Sequence, residues 1–260
     1  MDLIAELERA GPGIGERVSR GGASVASRRV AAAGRTRVVG IDGCPTGWVG
    51  IILEHGVAPS AVWAPTIAEI AAHAPDVAVM AIDIPIGIPD HETRPADLAV
   101  RKALGKRWQT VFLTPVRRAI EAATYDEANH LAREITDAGI SRQAYALRKK
   151  ILEVDRWIST ASCAVYEVHP ELSFAHLAGE PVTASKKTWA GAHERQRLLD
   201  AAGIALEGDL GIAGLRAGRD DVLDAAVAAW TAQRIAAGSA VHFGKPRSIE
   251  GSNHAFAIWA

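Results

Sequence analysis

Cysteine is nearly absent from this chain of 260 residues, which carries two. Cys44 and Cys163 have neither CxxC spacing nor the density of a secreted disulfide scaffold, so both read as reduced thiols and the expectation is a cytoplasmic protein. Long apolar runs are missing too. None reaches the roughly 18 to 20 residues that a membrane span needs, and the N-terminus lacks the basic-then-apolar order of a signal peptide, so no membrane partner and no export are expected. The formal net charge is only -1. That excludes a global positive field, and any affinity for nucleic acid has to come from local basic patches. Zinc-type CxxC and HExxH patterns are absent, as are internal repeats at solenoid periods.

What is present is the composition of a water-soluble globule, 48% hydrophobic and 23% charged, at a length that one domain can fill. Residues 1–36 stand apart. Gly11, Gly13, Gly15, Gly21 and Gly22 interrupt a stretch carrying Arg9, Arg17, Arg20, Arg28, Arg29 and Arg35. Repeated glycine raises the entropic cost of order, so this segment reads as a mobile arm ahead of a domain over 37–260.

Within that domain, the run Arg37-Val-Val-Gly-Ile-Asp42 reads as a buried strand that ends in an acid. Gly43 to Gly47 supplies a tight reversal into a second strand over 48–53, and a third over 61–64 continues an antiparallel meander. Thr66 is placed to cap a helix through His73. Residues 76–84 form a fourth strand, almost wholly apolar and therefore central, which again ends in an acid, Asp83. A helical insertion over about 94–162 follows, with helices at 95–104, 125–138 and 142–160. A strand over 164–168 and helices over 189–201 and 220–237 complete the pattern. The fold class is α/β: a mixed five-stranded sheet flanked by helices, with the insertion between the fourth and fifth strands.

Asp42 and Asp83 each emerge from a hydrophobic strand, where an unpartnered charge is unfavourable. Acids at strand ends often serve turns or pair with arginine, which is the plainer reading of either one alone. Asp220, Asp221 and Asp224 open the last helix. The helix dipole accounts for the first two, but Asp221 and Asp224 share a face that continues along alanines toward the sheet. In Tyr-Glu-Val-His-Pro-Glu, alternation puts Glu167 and His169 on one side of a strand; alternatively, His169 and Glu171 cap the helix that follows. Clustered carboxylates of this kind suit a hard cation, Mg²⁺ or Mn²⁺, and clustered acids with such ions are the equipment of phosphodiester hydrolysis. Arg101, Arg107 and Trp108 in the insertion, with Lys186 further on, are candidate phosphate and base contacts; ordinary solvated helix faces account equally well for any one of them.

The series VVGIDGCPTGW, VAVMAIDIPIG, RPADLAVRKALG to VFLTP, YEVHPELSF, SKKTWAG and RDDVLDAAVAAW, in that order from about Val38 to Ala237, resembles the large uncharacterised-domain family numbered 429, usually described as predicted RNase H-like nucleases. The resemblance implies an RNase H-like fold with metal ligands at Asp42, at Asp83 and at Asp221 or Asp224. The closing helix also resembles the DxxDA helix of Holliday-junction resolvases. Glu167, His169 and Glu171 match the family's Glu-Val-His-Pro-Glu motif.

The leading expectation is a metal-dependent nuclease acting on nucleic acid. Asp42 would bridge the metals, Asp83 and Asp224 would complete the ligand set, and Asp221 or Glu167 would orient water or a second ion. An actin-like ATPase or small-molecule kinase shares the sheet, but it generally duplicates the domain and carries a second Gly-rich phosphate loop, for which this chain has no candidate. A non-catalytic nucleic-acid or protein binding module is the third reading, disfavoured because a surface that binds phosphate has no use for buried carboxylates.

Overall fold

The structure, a computed structural model, describes residues 36–244 and 257–260. The N-terminal arm expected over 1–36 lies, but for Thr36, outside the described residues. Strands β1 (Arg37–Cys44), β2 (Gly47–Glu54) and β3 (Val57–Ala64) form the expected antiparallel meander, with β3 starting four residues earlier than its apolar part suggests. Thr66 caps α1 (Ile67–His73) by accepting from the Glu69 amide. β4 (Val79–Ile82) then enters parallel to β1, and β5 (Ala164–Val168) enters parallel to β4.

The sheet has seven strands in the order β3-β2-β1-β4-β5-β7-β6, not five. The additional strands, β6 (His242–Phe243) and β7 (Ile258–Trp259), are two residues each, too short for alternation to be visible in sequence. β7 extends the parallel part of the sheet by pairing with the end of β5. Between β4 and β5 lies the expected helical insertion: α2 (Pro95–Leu104), α3 (Arg117–Ile120), α4 (Tyr125–Thr136), α5 (Arg142–Ala146) and α6 (Arg148–Trp157). The single helix expected over 142–160 is divided at Leu147, whose ψ of -6° opens the turn, and closes in a 3₁₀ segment, Ile158–Thr160. After β5 come α7 (Pro170–Ala178), α8 (Trp189–Ala201), α9 (Gly211–Arg216) and α10 (Arg219–Ala236). No described helix is long and apolar enough to cross a membrane.

Side-chain alternation sorts the strands between two cores. Val38, Val79 and Ala81 pack with α10 on one face, whereas Val39, Ile41, Met80 and Ile82 pack with α1 and α6 on the other. Asp42 and Asp83 follow the first set in phase and therefore face α10. The approach of that helix is set by missing side chains. Its buried stripe includes Ala225, Ala228, Ala229 and Ala232, and it lies on β1 at Gly40, where a Cβ would stand 1.9 Å from the Ala229 amide nitrogen and 2.2 Å from the Ala225 carbonyl oxygen. Helix backbone thus rests on strand backbone, one residue from Asp224 and two from Asp42.

Candidate metal centre

Strand register brings the first two acids together. Ile41 pairs with Ile82 across parallel strands about 4.8 Å apart, and the Asp83 amide donates to the Ile41 carbonyl at 2.9 Å, so Asp42 and Asp83 leave the sheet side by side. Asp224 descends onto them from the second turn of α10. One carboxylate oxygen from each of Asp42, Asp83 and Asp224 lies within 4.8 Å of the other two. Asp42 and Asp224 are buried, with 8% and 1% of their surface exposed, and Asp83 is half-buried.

Three carboxylates this close, two of them buried, resist ionisation. Burial, then the charges of Asp83 and Asp224, push Asp42 well above the ordinary carboxylate range. Burial followed by Asp224 raises Asp83 to about 8, and burial raises Asp224 to about 6 against the opposing pull of Lys186. Lys186, from the segment between α7 and α8, forms an ion pair with Asp224. Burial alone would lower its pKa, but the charges of Asp224, Asp83 and Asp42 outweigh that and raise it. The Gly43 amide donates to Asp42 at 2.7 Å. Among the described residues, no donor reaches the Asp83 carboxylate.

The other expected site residues surround this triad in different roles. Asp221 lies at the start of α10, half-buried, and accepts from the Gly218 amide at 3.1 Å, as an acid in a first helical turn does. Glu167 follows Val165 in phase, and so faces the α1 and α6 side rather than α10. There Arg94 grips both of its oxygens, at 2.7 and 2.8 Å, and the Ile86 amide donates to it at 2.7 Å. Arg94 also holds Asp97 at 2.5 Å, and Asp97 accepts from the Thr114 amide, so this buried trio ties the start of the insertion to β5. Glu171 is held by Arg195, at 2.9 and 3.0 Å, and by Arg107 at 2.8 Å. The His169 carbonyl accepts the first amides of α7, but its ring caps nothing. Its Nε2 stands 3.4 Å from the Thr110 carbonyl, its Nδ1 is buried without a partner, and burial lowers its pKa. Arg101 donates to the Val111 carbonyl and lies over the ring of Trp108, which is 46% exposed.

These groups meet in an open cleft of about 450 Å³, lined by Asp42, Asp83, Asp224, Lys186, His169 and Glu171 among others. Six aspartates and two glutamates line it against two arginines and two lysines. An anionic ligand entering it would be repelled unless further positive charge were bound there. Sequence reasoning missed the Arg94 trio and the pairing of Lys186 with Asp224. The signal for the first is an Arg-Pro-x-Asp pair at a helix start; for the second there is none, since the partners are 38 residues apart.

Comparison with curated proteins and with solved structures gives no match. A family model described as protein of unknown function (DUF429) nevertheless matches residues 40–248, which take in five of the six motifs whole and all but the first two residues of the other, and the chain belongs to that family.

Proposed function

We propose that the chain is a divalent-metal-dependent nuclease of RNase H-like fold, hydrolysing phosphodiester bonds in nucleic acid. The observation that carries this reading is the meeting of Asp42, Asp83 and Asp224, from the first strand, the end of the central strand and the last helix, at the floor of an open cleft. The antiparallel meander followed by parallel strands supports the RNase H-like assignment.

The donor set fits a hard cation. It offers carboxylate oxygens only, lacks thiol and imidazole, and includes one carboxylate with no donor among the described residues. Asp42, Asp83 and Asp224 would hold Mg²⁺ or Mn²⁺. Such an ion, once bound, lowers the pKa of a coordinated water and offsets charge on the phosphate. The chain's own groups do the rest. Lys186 balances one carboxylate and adds positive charge beside the phosphate path, and Arg94 pairs with Glu167, whose charge raises Asp83. The network of Glu171, Arg107 and Arg195 ties the segment after α2 to α7 and α8 at the cleft wall.

A cleavage screen over single-stranded, duplex and branched DNA and RNA with Mg²⁺ or Mn²⁺ tests the reading. Cleavage by the wild type that is lost in a folded Asp42→Asn variant is expected. Cleavage that survives in Asp42→Asn, or that needs no divalent ion, would overturn it.

A further inference from the structure

The segment Ser185-Lys-Lys-Thr-Trp-Ala-Gly191 gives Lys186 to the metal centre, yet its most conspicuous member is Trp189, 77% exposed and the most exposed of the tryptophans. Leaving an indole in water forgoes the burial that other tryptophans of this chain obtain, so its placement needs a reason. Its position is fixed rather than loose. The Ser185 carbonyl accepts from the Thr188 amide and hydroxyl at 2.9 and 2.8 Å, and the Thr188 hydroxyl in turn caps α8 through the Gly191 amide. A Cβ at Gly191 would stand 2.1 Å from the Ser185 carbonyl oxygen, so only glycine lets the segment fold back this tightly on its helix. Lys186, three residues before Trp189, is locked to Asp224.

Two features equip the ring for a ligand. The guanidinium carbon of Arg219 lies 4.9 Å from the ring centre, and Arg219 is itself aimed by Gln196 at 2.7 Å. The platform also stands beside the cleft, because Lys187 and Asp220, the neighbours of Thr188 and Arg219 in sequence, both line it and pair with each other.

We propose that Trp189, backed by Arg219, is a stacking platform for an unpaired base at the edge of the cleft that holds the metal centre, and that the substrate is single-stranded nucleic acid. The proposal rests on the nuclease reading and specifies its substrate. Arg219 lies over the ring and the His193 ring runs parallel to it with centres 6.5 Å apart, yet 77% of Trp189 stays exposed, which leaves indole surface to stack on a base with an open π-face; within a duplex those faces are covered by neighbouring pairs.

Binding of a fluorescently labelled single-stranded phosphorothioate oligonucleotide, whose sulfur slows its cleavage, and of the duplex of the same sequence, is measured by anisotropy with Mn²⁺ present and Asp42 intact. Trp189→Ala and Trp189→Phe are compared with the wild type there, and cleavage of the unmodified strand is followed in the same variants. The single strand should bind more tightly than the duplex. Trp189→Ala should weaken that binding roughly five- to a hundredfold, the range for loss of one stacked base. Trp189→Phe should stay within a few-fold, and Mn²⁺ affinity by calorimetry should not change in either. Unchanged single-strand affinity in Trp189→Ala, or a preference for the duplex, overturns the proposal while leaving Asp42-dependent cleavage, and so the nuclease reading, intact. If neither form binds and neither is cleaved, both fall together.

Discussion

Replacing Asp83 by Asn should stabilise the metal-free protein at pH 8 while removing metal binding. Burial and the neighbouring charge of Asp224 hold the Asp83 carboxyl at about 8 in the fold, against 3.8 as its ordinary value. An acid whose pKa is raised by folding binds more protons in the folded state between those two values. Stability therefore falls as pH rises through that window and levels off above it. At about 1.4 kcal/mol per pH unit, a rise from 3.8 to about 8 would be worth nearly 6 kcal/mol. Asp83 is half-buried and opens onto the cleft, so solvent screening reduces this to roughly 2 kcal/mol. Asn has the same shape and no charge to desolvate. Urea unfolding in EDTA at intervals from pH 4 to 9 is the assay. The variant and wild type should coincide near pH 4 and diverge to about 2 kcal/mol in favour of Asp83→Asn by pH 8, a shift in melting temperature of about 4 to 8 °C for a domain of this size. Adding Mn²⁺ should reverse the order by stabilising the wild type alone. A difference that does not change with pH, or a variant less stable than wild type at pH 8, would refute the reasoning.

Three further outcomes follow from the same structure. Arg94→Ala leaves Glu167 and Asp97 buried without their partner and should destabilise the protein by about 3 to 5 kcal/mol, measured by urea unfolding at pH 7. Gly40→Ala drives a methyl group into the backbone of α10 and should lower stability by at least about 1 to 3 kcal/mol. Because that helix carries Asp224, Mn²⁺ affinity should drop with it in calorimetry. Protons compete with metal for Asp83 and Asp224, at about 8 and about 6, so Mn²⁺ affinity in the wild type should weaken steadily as pH is lowered through that range. A titration series at constant ionic strength would check it.

The parts of this fold that sequence could announce were those with strong local chemistry. β1 and β4 are runs of β-branched and apolar residues with an acid near or just past the end, although β1 continues two residues beyond Asp42, and Thr66 caps its helix as expected. The start of β3 was hidden because Val57 and Ala58 are exposed and Pro59 interrupts the pattern. β6 and β7 exist only through pairing between distant segments and carry no period of their own. The site divides in the same way. Asp42, Asp83 and Asp224 were identifiable because an acid at the end of an apolar strand or on an apolar helix stripe needs a purpose. That Asp42 stands beside Asp83 depends on the register of Ile41 with Ile82, which is a tertiary fact. Glu167 was expected to orient water or a second ion; one place of alternation turns it to the opposite face, where Arg94, 73 residues away, pairs with it, a contact sequence could not show.

Calorimetric titration of Mn²⁺ into the purified protein at pH 8, with Asp42→Asn and Asp224→Asn beside it, tests the central claim that these carboxylates form a metal centre. The wild type should bind the ion, and both variants should fold yet fail to bind it. A wild type that takes up no divalent cation, or an Asp42→Asn protein that binds as well as the parent, would contradict the account.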